Sequence, residues 1–228
     1  MINNLGETEQ LLGHYDAALE LFQAGRRVCA EIGQRQADAY LLCNMAISAF
    51  RRGEGAGSIE SSTMAMRLAE ELKDRDLQAV LRCVRAHAHA ALGQWDEAAA
   101  CCQASLALFR ELGRATMPPE PIAGLARIAL SRGDLEGAMT TIGEVVAHFD
   151  AGGSVDGTED PIWIYLTCHD VLAAEGSPRA GEFLTIAHRL LSERAALLGD
   201  EERASFLANV PTNRAVVAAW AAGRAASA

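Results

Sequence analysis

Apolar side chains recur along this chain every three or four residues, which is the spacing of helices that bury one side. Between residues 16 and 32, Ala18, Leu21, Phe22 and Val28 form such a stripe. Residues 151–160 form the one long loop, and the other breaks in the pattern are short. The pattern predicts an all-α protein.

Glycines mark the breaks at a constant interval. One series falls every 40 residues, and a second lies 20 residues after the first, just past apolar helical segments, where a left-handed helix end suits glycine. A fixed period of this length indicates a solenoid of helical hairpins. The first series is Gly13, Gly53, Gly93 and Gly133, with Gly176 after a further 43 residues, and the second is Gly33, Lys73, Gly113 and Gly153.

Each predicted unit contains two helices joined by a tight turn. We expect a solenoid over residues 1–199, in units of about 1–33, 34–73, 74–113, 114–153 and 160–199, followed at 200–228 by C-terminal capping helices and a frayed tail. The expected helices cover about residues 2–12, 16–32, 35–52, 57–72, 75–92, 95–112, 120–132, 135–150, 161–175, 179–198, 200–207 and 212–222.

A small residue occupies one helical position in each of the first four units. Gly6 has Ala46, Ala86 and Ala126 as its repeat equivalents, which predicts that two helices cross closely there. The turn at residues 53–58 holds three glycines. It lacks the lysine and the preceding strand of a phosphate-binding loop, so we interpret it as a loosened repeat turn.

Composition and charge narrow the classes of function. Half of the residues are apolar, 5% are aromatic, and the net charge is −10, with lysine only at position 73. Nucleic-acid binding needs basic groups that neutralise phosphates, so direct DNA or RNA binding is not expected. The chain has no apolar run of the ~18–20 residues that a membrane span needs, and no signal peptide. We therefore expect a cytoplasmic protein whose cysteines are reduced.

Aligned on the turn glycines, the units resemble tetratricopeptide (TPR) repeats. The second unit keeps Ala46 and Gly53 but has Ser58 where alanine is usual. The resemblance implies a right-handed α-α superhelix, a TPR-like solenoid of about five helical hairpins of ~40 residues plus C-terminal helices, with longer helices than the usual repeat. The matching residues are Leu5, Gly6, Gly13, Tyr15, Ala18 and Phe22 in the first unit, Ala86, Gly93, Trp95 and Ala98 in the third, and Leu125, Ala126, Gly133 and Ala138 in the fourth.

The segment from Phe206 to Arg214, together with Trp220, resembles the C-terminal end of large bacterial regulators. In those proteins a nucleotide-binding STAND or AAA-type ATPase module precedes a TPR array, often with a nucleotide cyclase or DNA-binding module. The resemblance implies that this chain is the TPR part of a signalling or transcription regulator, as a fragment or a stand-alone relative. Because Met1 opens directly on a repeat helix without a polar cap, we also expect a homodimer through this uncapped N-terminal helix.

In TPR arrays the first helix of each unit lines a concave groove, and the resemblance therefore supplies candidate binding residues. The groove wall is largely apolar with interspersed charges, which suits an amphipathic helix, an extended peptide or an apolar ligand. Several candidates, above all Ile47, Phe50 and Val80, could instead belong to the core between repeats. The main candidates are Tyr40, Ile47, Phe50, Arg51, His87, Arg127, Trp163 and Asp170, and the further ones are Asn3, Glu7, Cys43, Val80 and Cys83.

Other site chemistry finds little support in the sequence. Cys83 and His87 share a helix face near Cys43, but buried small thiols explain these cysteines better than a zinc site does. We expect no cofactor, no metal and no enzyme activity. The first hypothesis is a protein–protein interaction scaffold that binds a protein segment or another domain of the same regulator in its concave groove. The alternative is a TPR domain that senses a small-molecule effector.

Overall fold

The computed structural model describes residues 1–113 and 119–226, and all regular secondary structure in these ranges is α-helical. This confirms the predicted fold class. None of the described helices is long and apolar enough to cross a bilayer. The helices are α1 (Ile2–Leu11), α2 (Tyr15–Ile32), α3 (Arg35–Arg51), α4 (Gly55–Glu71), α5 (Arg75–Ala91), α6 (Trp95–Glu111), α7 (Pro119–Ser131), α8 (Leu135–Asp150), α9 (Pro161–Glu175), α10 (Ala180–Ala195), α11 (Asp200–Asn209) and α12 (Pro211–Ala226).

The chain divides into two compact units, Met1–Met117 and Pro118–Ala228. In unit 1, α1 with α2, α3 with α4, and α5 with α6 pack as three consecutive hairpins. The second helix of one hairpin also packs against the first helix of the next, and α3 contacts both α1 and α5. Each hairpin therefore covers the apolar side of its neighbour, as a repeat array requires.

Small residues let the helices of unit 1 approach closely. A Cβ atom added at Gly6 would lie 2.4 Å from Cε1 of Phe22, a side chain with no exposed surface. Ala46 and Ala86 occupy the equivalent positions and are 0% and 3% exposed. These contacts confirm the predicted close crossing. The larger core of this unit joins α3, α4 and α5 through Leu42, Cys43, Ile47, Met66, Leu77, Leu81 and Val84.

Backbone in the left-handed region ends the helices at the predicted interval. Gly53 has a φ of 90°, and Lys73, which stands where the next turn would carry glycine, is held at a φ of 57°. The glycine-rich turn is not loosened as predicted: the N–H of Glu54 donates to the carbonyl of Ala49 at 2.8 Å, and α4 begins at Gly55. Positive φ values also occur at Gly13, Gly33, Gly93, Gly113, Gly133 and Gly176, and at Gly152 in place of the predicted Gly153.

Unit 2 contains the hairpins α7–α8 and α9–α10, and the last two helices pack back onto α9 and α10. His188 of α10 stacks on Trp220 of α12, with ring centroids 4.1 Å apart. The last helix extends beyond the predicted 212–222, because α12 continues to Ala226 through alanine-rich sequence of high helix propensity. The core here includes Ile162, Leu166, Leu184, Leu191, Phe206, Val210 and Val216.

Two sequence predictions extend beyond the described ranges. The predicted fourth unit starts at about residue 114, and residues 114–118 are not described. The last two residues of the predicted tail, 227 and 228, are also not described.

Candidate functional site

A network of amide and carboxylate groups joins the first helices of the first two hairpins. Asn44 of α3 donates its Nδ2–H to Oδ1 of Asn3 at 3.0 Å and to Oε1 of Glu7 at 2.9 Å. Asn3 also donates to Glu7 at 2.8 Å. One turn deeper, Gln10 donates to the carbonyl of Asn44 at 2.9 Å and to Oγ of Ser48 at 2.8 Å. These side chains are held in place before any partner arrives.

A stacked pair of rings joins the first helices of the second and third hairpins. Phe50 of α3 stacks on His87 of α5, with ring centroids 5.3 Å apart and an interplanar angle of 18°. Arg51, next to Phe50 in the chain, is half-buried and forms no ion pair with a described residue. We call the surface formed by Asn3, Glu7, Asn44, Arg51 and the Phe50–His87 pair the first-helix face of unit 1.

Two further candidates on α3 differ in their exposure. Tyr40 is 41% exposed, and its hydroxyl donates to Oδ2 of Asp74 at 3.1 Å. Partial burial, with the Asp74 carboxylate beside it, raises the pKa of Tyr40, so the phenol stays protonated at neutral pH. Ile47 is only 4% exposed and packs in the core that joins α3, α4 and α5, so its side chain does not line an open surface. This burial favours the alternative that Ile47 belongs to the core between repeats.

The remaining three candidates lie in unit 2. Arg127 of α7 and Asp170 of α9 form an ion pair with each other, and both side chains are about one-third exposed. They satisfy each other's charge across the two helices, which sequence reasoning did not foresee. Trp163 lies half-buried in the first turn of α9, where its backbone N–H donates to the capping carboxylate of Asp160 at 3.0 Å.

The described residues hold no group of three or more histidine, cysteine or acidic side chains that could bind a metal ion. Sγ of Cys83 lies 3.1 Å from Oγ of Ser105 in the interior, where both are buried. Burial raises the pKa of Cys168 to about 12, so this thiol is not a nucleophile at neutral pH. These groups support packing rather than chemistry.

An apolar cavity of about 610 Å³ opens at the N-terminal end of unit 1. Its walls include Ile2, Val28, Tyr40 and Leu41, with Asn3 among the few polar groups. In the same hairpin, Met1 before α1, Leu5 on α1, and Val28 and Ile32 on α2 expose between 43% and 105% of their surface. This end of the unit is an apolar surface that sequence reasoning anticipated only as an uncapped helix.

Comparison with known proteins identifies the fold. No family model matches the chain, and no curated protein matches it. Among solved structures it is similar to the nearly identical TPR-like repeats of a putative kinesin light chain from Podosopora anserina, with a TM-score of 0.58 and 17% sequence identity over 85% of this chain and 94% of that chain. A variant of the same repeats gives a TM-score of 0.59 at 17% identity over 86% and 95%. The chain therefore has a TPR-like repeat fold, as its sequence pattern predicted.

Proposed function

We propose that the chain is a non-catalytic, cytoplasmic protein–protein interaction scaffold, the TPR part of a bacterial signalling or transcription regulator. On this proposal the first-helix face of unit 1 binds a protein segment or another domain of the same regulator. The observation that carries the proposal is that two ordered groups, the Asn44 network and the Phe50–His87 pair, join neighbouring first helices of unit 1.

The chemistry of this face suits an extended protein segment. Amide and carboxylate groups that are already positioned lose little rotational freedom when a peptide backbone binds beside them. The stacked rings of Phe50 and His87 add an apolar platform, and Arg51 adds a cation that has no carboxylate partner among the described residues. We expect the bound segment to carry an acidic side chain opposite Arg51 and an apolar side chain against the ring pair.

The experiment is a pull-down from cells of the source organism with the tagged full chain. The variant Asn44→Ala/Arg51→Glu removes the central amide and reverses the charge, and it should lose the protein that the unsubstituted chain retains. Arg67→Glu reverses a charge on the exposed side of α4 and serves as the matched control. Retention of the same protein by both variants would contradict the proposal. Arg127 is unsuitable for this test because its substitution would break the ion pair with Asp170.

Two finer parts of the proposal concern assembly. We propose that residues 1–199 form the solenoid and that residues 200–228 close it at the C-terminal end. We also propose a homodimer through the N-terminal helix, which the exposed apolar side chains of Met1, Leu5 and Ile32 support.

A second candidate function is the sensing of a small apolar effector. The cavity of about 610 Å³ favours it, because the size lies in the range of small-molecule sites and the walls are mostly apolar. Ala37→Trp should fill this cavity, whereas Ala30→Trp on the exposed side of α2 should not. An effector of this site would raise the melting temperature of the unsubstituted chain and of Ala30→Trp, but not of Ala37→Trp. A panel of apolar metabolites without such an effect would count against sensing.

A further inference from the structure

Two arginines of α5 occupy core positions of the repeat. One repeat earlier, the position of Arg82 is held by Leu42, which is 1% exposed, and the position of Arg85 is held by Met45, which packs against the core of α2 and α3. In α5 the Nε atoms of both arginines are buried and have no hydrogen-bond partner. Two cations thus stand where the preceding hairpin has two apolar side chains.

The two guanidinium groups are neighbours on the helix surface and share a third group. Residues three apart lie on the same side of a helix, so Arg82 and Arg85 project together. Both interact electrostatically with the half-buried thiol of Cys101 on α6: burial raises the pKa of Cys101, and Arg85 and Arg82 oppose that rise. Both arginines therefore lie within electrostatic range of Cys101, on the α5–α6 hairpin.

Charge balance distinguishes this pair from three arginines of unit 1 that have carboxylate partners. Arg26, Arg35 and Arg75 each contact a carboxylate. Neither Arg82 nor Arg85 forms an ion pair with a residue of the described ranges. A partly desolvated cation without a counter-charge is unfavourable, and the planar fork of arginine matches the oxygen atoms of a carboxylate or a phosphate.

We propose that Arg82 and Arg85 form a binding site for an oxyanion, a carboxylate or a phosphate group, beside Cys101 on the α5–α6 hairpin. The site differs from the first-helix face. At ~100° of rotation per residue, positions 82 and 85 lie more than about 90° around α5 from His87. A protein bound at the first-helix face would leave this site open to a second, anionic ligand.

Alkylation of Cys101 in the full chain tests the proposal, with inorganic phosphate and acetate as probes and chloride at equal ionic strength as reference. The other cysteines are buried, so mass spectrometry of the Cys101 peptide follows one site. An oxyanion held by the arginines covers the thiol and cancels the positive potential that favours the thiolate. At an anion concentration of about ten times its Kd, roughly one site in eleven is empty, so alkylation of Cys101 should slow about ten-fold. Protection by phosphate alone indicates a phosphoryl ligand, and protection by acetate indicates a carboxylate.

Variants assign the effect to the two arginines. Arg82→Gln/Arg85→Gln should abolish the protection, whereas Arg27→Gln/Arg67→Gln removes the same charge from exposed side chains and should keep it. The measurement on the unsubstituted chain stands even if the first variant does not fold. Alkylation that neither anion slows beyond chloride, or equal protection of the Arg82→Gln/Arg85→Gln variant, would overturn the site.

Discussion

The turn at Lys73 gives the sharpest test of how the repeat is built. Lys73 is exposed and held at a φ of 57°, in a position where the turns on either side carry Gly53 and Gly93. No atom lies within 4 Å of a Cβ built at Gly53, so steric contact does not complicate that position. Lys73→Gly and Gly53→Ala therefore change the same backbone preference in opposite directions.

The expected size follows from two opposing terms. The left-handed conformation costs a residue with a Cβ atom about 1–2 kcal/mol. Replacing a residue by glycine also raises the conformational entropy of the unfolded chain, which offsets roughly 0.4–1 kcal/mol of the gain. Lys73→Gly should therefore stabilise the fold by about 0.5–1 kcal/mol, and Gly53→Ala should destabilise it by a similar amount.

A third variant controls for the chemistry of the substitution itself. Gly143 lies exposed within α8, has no atom within 4 Å of a built Cβ, and does not have a positive φ. Gly143→Ala should therefore stabilise by about 0.8–1 kcal/mol through helix propensity. Thermal unfolding followed by circular dichroism should show shifts of roughly 1–4 °C for a chain of this size. A lower melting temperature for Lys73→Gly, or shifts of the same sign for Gly53→Ala and Gly143→Ala, would refute the reasoning.

Three further variants test packing, charge and assembly. Gly6→Ala should destabilise by about 1–2 kcal/mol in urea unfolding, because its Cβ would meet the buried ring of Phe22; an unchanged midpoint would contradict the close crossing. Arg179 donates two hydrogen bonds to Asp150, and these bonds lower the pKa of Asp150 in the folded chain. The ion pair therefore stabilises the fold fully above the unfolded pKa of ~3.9, and this stabilisation is lost as the pH falls through the lower folded pKa. Asp150→Asn should therefore lower the urea midpoint at pH 7 but not at pH ~2; equal losses at both would contradict the ion pair. Leu5→Glu should convert a dimer to a monomer in sedimentation velocity, and a monomeric unsubstituted chain would contradict the proposed homodimer.

The fold was largely predictable because its turns need left-handed backbone, and the sequence places glycine at most of these positions. Glycine spacing located the left-handed ends, and it identified position 73 as equivalent even though it carries lysine. The interval shortens by one residue at Gly152, just before the long loop, and glycines at both 152 and 153 hid that shift. Helix α4 starts earlier than predicted, at Gly55, two residues after Gly53, which is the spacing between Gly13 and the start of α2 at Tyr15.

The candidate site was less predictable, because periodicity assigns a residue to a helix face and does not identify its partner. The spacing placed Asn3 and Glu7 on the first helix of a unit but could not show that they bond to Asn44 of the next unit. It also could not distinguish an open position from the buried Ile47. Arg82 could have been singled out from the sequence, because aligning the repeats places it at the position of the core residue Leu42.

Photo-crosslinking tests most directly whether the first-helix face of unit 1 contacts a protein partner. Tyr40 lies one turn before Asn44 on α3 and therefore borders this face, whereas Met64 lies on α4. The two side chains are 41% and 40% exposed, so a benzoylphenylalanine at either position is exposed to solvent to a similar extent. In cells of the source organism, we expect the label at position 40 to form a discrete crosslinked product that the label at position 64 does not form, and that Asn44→Ala/Arg51→Glu abolishes. A product formed from position 64 and absent from position 40 would contradict the proposed binding face.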